Sequence, residues 1–299
     1  MRSLALSVAL LATTAFSTAS AQDVTVRTDD LGGGIFALST DRAGNVGAVI
    51  GEDGVFIIDT QMPDLAPLID AEIDKLSDGD DVDLVLNTHL HGDHILGNQY
   101  FVEQGAVVIA HPNVRPGILA RNKSALTGSS LPELPASMLP TVNVNEGGSV
   151  TMNGQTAKFY HTPNAHTDGD IFVVFEGANI MHSGDLLFHQ RFPFIDLDNG
   201  GTVDGFIAGM QRMADMADDE TVIISGHGPL GKKQDLLDSI AMLKETKAEV
   251  QKLVDKGYDL EKVQSKAPLK AYHDHWNWGF ITTERMVWTL YRDITGKTE

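Results

Sequence analysis

A chain of 299 residues, 42% of them hydrophobic, is long enough for one large domain or two small ones and can build a sizeable core. Its 41 acidic and 22 basic residues give a formal charge of −19, which repels nucleic-acid phosphates and anionic lipid and excludes a broadly basic nucleic-acid-binding surface. It contains no cysteine, so disulfides and thiolate ligands are excluded and any metal must be held by His, Asp or Glu.

The chain opens with Arg2, an apolar stretch from Leu4 to Phe16, and then Ser17-Thr18-Ala19-Ser20-Ala21. The Ala19-Ser20-Ala21 ending fits the small-x-small pattern of secretory cleavage. It predicts a signal peptide over residues 1–21, cut after Ala21, a periplasmic or secreted protein, and one domain over 22–299 with a C-terminal helical extension. No later run is long enough to span a membrane. Strand-like runs follow at Val24 to Thr28, Ile35 to Ser39, Val46 to Gly51 and Val55 to Asp59, separated by glycine-rich or Asp-Gly punctuation. Leu65, Leu68, Ile69, Ile73 and Leu76 recur at three and four, which predicts a helix over Asp64 to Leu76. The apolar run Val82 to Asn87 comes next, then a short helix from His94 to Glu103, a strand at Ala106 to Ala110 and a helix over Val114 to Ser124. Thr127 to Val142, with three prolines, reads as a surface loop over or beside a site. In the second half strands are predicted at Thr156 to His161, Ile171 to Glu176, Asn179 to Ser183 and Thr221 to Ser225. Helices are predicted at Val203 to Ala217, Lys232 to Lys256 and Phe280 to Ile294. Strands in blocks with helices between them imply two sheets covered by helices on their outer faces.

The chemistry is concentrated in His89-Leu90-His91-Gly92-Asp93-His94, directly after an apolar run. Three imidazoles and a carboxylate this close cannot all serve one ion comfortably. The spacing suggests two adjacent metals, with His89 and His91 on one and Asp93 and His94 on the other. His166, Asp185 and His227 are further candidates, each just after a predicted strand and near glycine, which lets the backbone turn tightly toward an ion. His161 and His182 sit inside apolar strands and read as core residues. His111 reads as the end of a strand, and His273 and His275, with Trp276 and Trp278, as packing of the C-terminal tail. Asp196-Leu197-Asp198-Asn199-Gly200 has the look of a calcium loop, but Ile207 stands where the twelfth-position acid would be.

Taken together, these motifs resemble the metallo-β-lactamase superfamily, in the family's order and over roughly residues 33 to 230, beginning with Asp59 at the end of Val55-Phe56-Ile57-Ile58-Asp59. The resemblance implies an α/β fold, a four-layer αββα sandwich, with metals at the edge of the two sheets. It implies that His89, His91 and His166 hold one zinc, that Asp93, His94 and His227 hold a second, that Asp185 bridges both, and that Asp59 orients a ligand. Two zinc ions about 3.5–4 Å apart would hold a water and lower its pKa to near 7 for attack on a carbonyl carbon or phosphorus. Asp93 would orient that water and shuttle a proton. Iron or manganese suits the same donors.

The resemblance implies a small-molecule substrate. The commonest β-lactamase subclass has cysteine where Asp185 stands and a lysine three residues later, where this chain has Phe188. An aspartate bridge is typical of lactone, thioester and phosphodiester hydrolases of the superfamily. The segment Leu186 to Gly201 is expected to wall the pocket, with Phe188, Phe192 and Phe194 as apolar contacts, His189 as a lining residue and Arg191 as an anchor for an anionic substrate. The expectation is an exported dinuclear zinc hydrolase, with β-lactam opening as the leading reaction. The alternatives are a lactone, thioester or phosphodiester hydrolase and an iron-dependent dioxygenase on the same fold.

Overall fold

The computed structural model describes residues 24–297; the expected signal peptide lies outside the described residues. The first half forms β1 (Arg27–Gly32), β2 (Ile35–Ser39), β3 (Val46–Gly51), β4 (Gly54–Ile58), α1 (Ala66–Ser77), β5 (Val82–Asn87), α2 (Gly92–Ile95), α3 (Asn98–Gln104), β6 (Val107–Ala110), α4 (Val114–Ala120) and β7 (Val142–Asn143). The second half forms β8 (Ser149–Met152), β9 (Gln155–Thr162), β10 (Asp170–Phe175), β11 (Ile180–His182), α5 (Val203–Met216), β12 (Val222–Ile224), α6 (Lys233–Val254), α7 (Leu260–Ser265), α8 (His273–Trp276) and α9 (Thr283–Thr295).

The strands make two sheets, ordered β1-β2-β3-β4-β5-β6-β7 and β12-β11-β10-β9-β8. Alternation along the strands sorts side chains between their two faces. Phe56, Ile58 and Leu86 of the first sheet meet Phe159, Ile171 and Val173 of the second in the inter-sheet core. The opposite face of the first sheet, with Ile57 and Val85, is closed by Ile69 and Ile73 of α1 and Phe101 of α3. The outer face of the second, with Phe172 and Met181, is closed by α5, α6 and α9 through Phe206, Leu243 and Leu290. Helix, sheet, sheet, helix is therefore the layer order, as the resemblance implies.

Several boundaries differ from the sequence reading for local reasons. The helix expected over His94 to Glu103 is two helices, because Gly97 N–H donates to the Gln61 carbonyl at 3.0 Å and not back along the helix, at a close approach where a Cβ on Gly97 would overlap the Thr60 carbonyl. The helix expected to reach Ser124 ends at Ala120, where Arg121 turns left-handed at φ 51°. The first strand begins at Arg27 rather than Val24. Thr282 caps α9 by accepting from Arg285 N–H, so the last helix starts three residues later than the apolar pattern suggested.

Strand direction is what gathers the site. β4, β5 and β6 run parallel, as do β11 and β12, and two antiparallel steps through β10 make β9 run with β11. The segments that follow β4, β5, β9, β11 and β12 therefore all leave at the same edge of the sandwich.

Candidate metal centre

Each donor side chain sits in one of those segments: His89, His91, Asp93 and His94 after β5, His166 after β9, Asp185 after β11 and His227 after β12. Donor atoms of His89, His91, His166 and Asp185 lie within 4.8 Å of one another, and those of Asp93, His94 and His227 form a second such group. Asp185 stands between the groups. Its Oδ1 is 3.1 Å from His94 Nε2, and its Oδ2 is 3.3 Å from His227 Nε2, 3.5 Å from His166 Nε2 and 3.8 Å from His89 Nε2. Asp93 Oδ2 is 3.2 Å from His227 Nε2. Glycine permits this crowding: a Cβ at Gly226 would overlap the Asp185 carboxylate, and one at Gly44 would overlap the His94 ring.

Hydrogen bonding fixes which nitrogen of each imidazole faces inward. The Thr88 hydroxyl donates to Asp59 Oδ2 at 2.7 Å, which leaves its oxygen to accept from His89 Nδ1–H at 2.9 Å. His94 Nδ1–H donates to Asp59 Oδ2 at 2.7 Å, and Asp59 also accepts from Thr88 N–H at 2.8 Å. His166 Nδ1–H donates to the Phe194 carbonyl at 2.7 Å, and His91 Nε2–H to Asp196 Oδ2 at 2.8 Å. These partners leave lone pairs on His89 Nε2, His94 Nε2, His166 Nε2 and His91 Nδ1, all directed inward. His91 Nδ1 and His166 Nε2 lie only 2.7 Å apart. Two lone pairs at that separation repel unless a cation or a proton lies between them. His89 Nε2, His94 Nε2 and Asp185 Oδ1 are buried without a hydrogen-bond partner, a costly arrangement that a shared metal would relieve. The donor set therefore fits metal ions, and no thiolate is needed.

The electrostatics agree. Burial and the neighbouring His94 hold His89 well below the usual imidazole range, and burial and His91 hold His166 at about 4. Burial also opposes charge on His94, yet Asp185, Asp93 and Asp59 together raise it well above its ordinary value. His227, likewise buried, is raised to about 9 by Asp185 and Asp93. Asp185 itself stays far below the usual carboxylate range, because His94 and His227 outweigh its burial. Cationic charge is thus favoured at the centre of the cluster, whether supplied by protons or by metal.

The cluster floors a cavity of about 810 Å³. Phe188 and Phe194 line it, and so does Arg191. His189 does not: its ring faces the Pro229 carbonyl at 3.1 Å and Asp235 at 3.4 Å, turned toward the start of α6. Phe192 is fully buried in the core behind the wall. Leu131 and Pro132, in the loop expected beside the site, also line the cavity. His111 stacks on His161, ring centroids 3.6 Å apart, outside both donor groups. Three residues with roles here escaped the sequence reading. Asp196 orients His91, although its Asp-x-Asp-x-Gly turn had been weighed only as a calcium loop. Trp278, read as tail packing, and Phe280, read as the start of the last helix, line the cavity.

A family model described as the metallo-beta-lactamase superfamily matches residues 39–227, a span that holds Asp59 and all seven donors. The chain belongs to the metallo-beta-lactamase superfamily. Among solved structures, a metallo-beta-lactamase from Pontibacter korlensis is 18% identical at a TM-score of 0.58, covering 74% of this chain and 99% of its own. A double mutant of the sec-alkyl sulfatase PisA1 is 14% identical at a TM-score of 0.69, covering 91% of this chain and 50% of its own. At these identities the likeness is one of fold. An uncharacterized protein of Mycobacterium leprae (strain TN) is 29% identical over 153 residues, 48% of this chain and 68% of its own length. Members of this superfamily are mostly metal-dependent hydrolases.

Proposed function

We propose that this protein is an exported dinuclear zinc hydrolase that opens a carbonyl bond in a small molecule, with the cyclic amide of a β-lactam as the leading substrate. The observation that carries the reading is two donor groups meeting at one carboxylate, Asp185, on the floor of a cavity large enough for a drug-sized ligand. His89, His91 and His166 would hold one ion, Asp93, His94 and His227 the other, and Asp185 would touch both. Imidazole and carboxylate donors suit zinc. When bound, the ions supply Lewis acidity and a water nucleophile available at neutral pH. The chain supplies the rest. Asp59 and Asp196 fix the rings of His94 and His91, so the donors need little reorganisation. Asp93, partly exposed on the cavity side and held well below the usual carboxylate range by His94 and His227 against its burial, accepts a hydrogen bond from the attacking water and can pass its proton toward the leaving group. Phe188 and Phe194 keep bulk water from the reacting bond. A leader ending at Ala21 would place the enzyme in the periplasm or outside the cell.

A second reading has its own support. Aspartate, not cysteine, stands between the two donor groups, and the resemblance associates an aspartate bridge with lactone, thioester and phosphodiester hydrolases, which favours an ester as the bond cleaved; the fold likeness to a sec-alkyl sulfatase adds a sulfuric ester to the candidates. The purified, zinc-loaded protein should be assayed against β-lactam, lactone, thioester, phosphodiester and alkyl sulfate substrates. Ring opening of a β-lactam supports the leading reading. Turnover confined to esters replaces it with the second. No hydrolysis of any member overturns both.

A further inference from the structure

The cavity wall has a feature that metal chemistry does not require. Four aromatic rings form an arc from one donor group to the other. Phe194 lies 5.2 Å from the His91 ring, Phe280 5.4 Å from Phe194, Trp278 5.7 Å from Phe280, and Phe188 6.1 Å from Trp278. Phe188 closes the arc by stacking on His227, centroids 4.9 Å apart and planes 12° from parallel. Two of the four rings come from the short segment between α8 and α9, and that segment is bolted in place. Trp278 Nε1–H donates to the Phe192 carbonyl at 2.9 Å, and Phe192 N–H donates to the Trp276 carbonyl at 2.7 Å. Phe280 nevertheless keeps 37% of its surface exposed on the cavity side.

A cation stands beside this arc. The Arg191 guanidinium lies over the Trp278 ring at 5.1 Å from its centroid. Of the four arginines lining the cavity, Arg27 pairs with Asp29, Arg42 with Asp64 and Arg121 faces Glu133, whereas Arg191 has no carboxylate within 4 Å among the described residues. In a chain of charge −19, a half-buried arginine without an acidic partner is a notable omission. The cation–π contact with the indole steadies the guanidinium, and none of its N–H groups donates a hydrogen bond to another described residue, which leaves them for a planar carboxylate.

We propose that Phe194, Phe280, Trp278 and Arg191 form a substrate subsite for the non-reacting part of an apolar carboxylate, with an aromatic or aliphatic body against the rings and its anionic group on Arg191. This names the substrate class of the reading above and rests on it, but it is testable by binding alone. The zinc-loaded full chain should be titrated calorimetrically with 4-phenylbutanoate and with the uncharged 4-phenylbutanamide. The expected result is at least tenfold tighter binding of the carboxylate. R191A should bring the carboxylate down to the level of the amide, R191K should restore part of the difference, and F280A should weaken both probes alike. Phe280 is exposed enough that its loss leaves the fold intact. Equal affinity for the two probes, no binding of either, or carboxylate affinity unchanged in R191A (the mark of a carboxylate sitting on the metals) would overturn the subsite. Charge-selective, Arg191-dependent binding without hydrolysis of any substrate would sink the hydrolase reading and leave the subsite standing. Hydrolysis indifferent to R191A would do the reverse.

Discussion

The Asp196 carboxylate accepts from His91 Nε2–H at 2.8 Å and also from the backbone N–H groups of Asp198 and Asn199, so one side chain both forms its turn and aims a donor. D196A should free the His91 ring and weaken metal binding at the His89–His91–His166 group by about 10–100-fold, the usual cost of removing a partner that orients a ligand. The Asp93–His94–His227 group should be unaffected, because Asp59 fixes His94 separately. Chelator competition with zinc reads both affinities, and an unchanged first site would show that Asp196 serves only its turn. The run His89 to His94 stood out by residue type and spacing, whereas His166, Asp185 and His227 joined it only through the resemblance; the structure brings all seven into two groups. Asp196 was not legible, because its role depends on a contact 105 residues away in sequence. His189 illustrates the converse: adjacency to the Asp185 motif suggested the cavity, but the chain turns there and the ring points to Asp235.

At the scale of elements, α9 reaches back to the same turn. Arg292 donates from Nη1 to Asp198 Oδ2 at 2.9 Å and from Nη2 to Asp198 Oδ1 at 2.6 Å, and Asp198 Oδ2 also accepts from Ala125 N–H at 2.7 Å. The last helix and the loop beside the cavity are thereby tied to the residues flanking Asp196. R292A should lower stability by about 1 kcal/mol, discounted for partial exposure, and thermal melts should shift down by about 2–4 °C. Replacing a residue that only packs should cost more. Phe101 in α3 is fully buried, and F101A should cost about 3–5 kcal/mol in denaturant unfolding, with no specific loss of metal affinity. Strands β2, β3 and β5 match their apolar runs residue for residue, because a strand that is mostly buried announces itself in composition. β7 and β8 were not legible: they are short and partly exposed, and they form only by pairing with β6 and β9. The break between α2 and α3 was hidden for a similar reason, since the demand for glycine at position 97 comes from the Thr60 carbonyl of a distant segment.

The whole molecule is two sheets whose common edge carries the donor cluster, and one contact near that edge gives a response to pH. His111, just after β6, stacks on His161 of β9, and burial with the neighbouring His161 lowers His111 from 6.5 to about 4. The folded state therefore prefers neutral His111. The stabilisation is complete above pH 6.5 and is lost as pH falls from there to about 4. H111F keeps a stacked ring without the titration, so its melting temperature should fall less than wild type's over that interval; parallel profiles would contradict the assignment. Loading with zinc acts on the molecule as a whole too, because binding restricted to the folded state stabilises by about 4 kcal/mol at 1,000 times Kd. A melting temperature unchanged by chelation would mean that the donors bind little metal. The two-sheet architecture and the strand-end placing of the donors were legible as soon as the motifs were seen in order. The aromatic arc was not, since it joins residues 188–194 to residues 278–280 only through tertiary packing. The central claim is that two ions share Asp185, and elemental analysis of purified protein measures it most directly. The expected result is about two zinc ions per chain, and about one in each of H91A and H227A. A single firmly bound ion, or a predominance of iron, would contradict it.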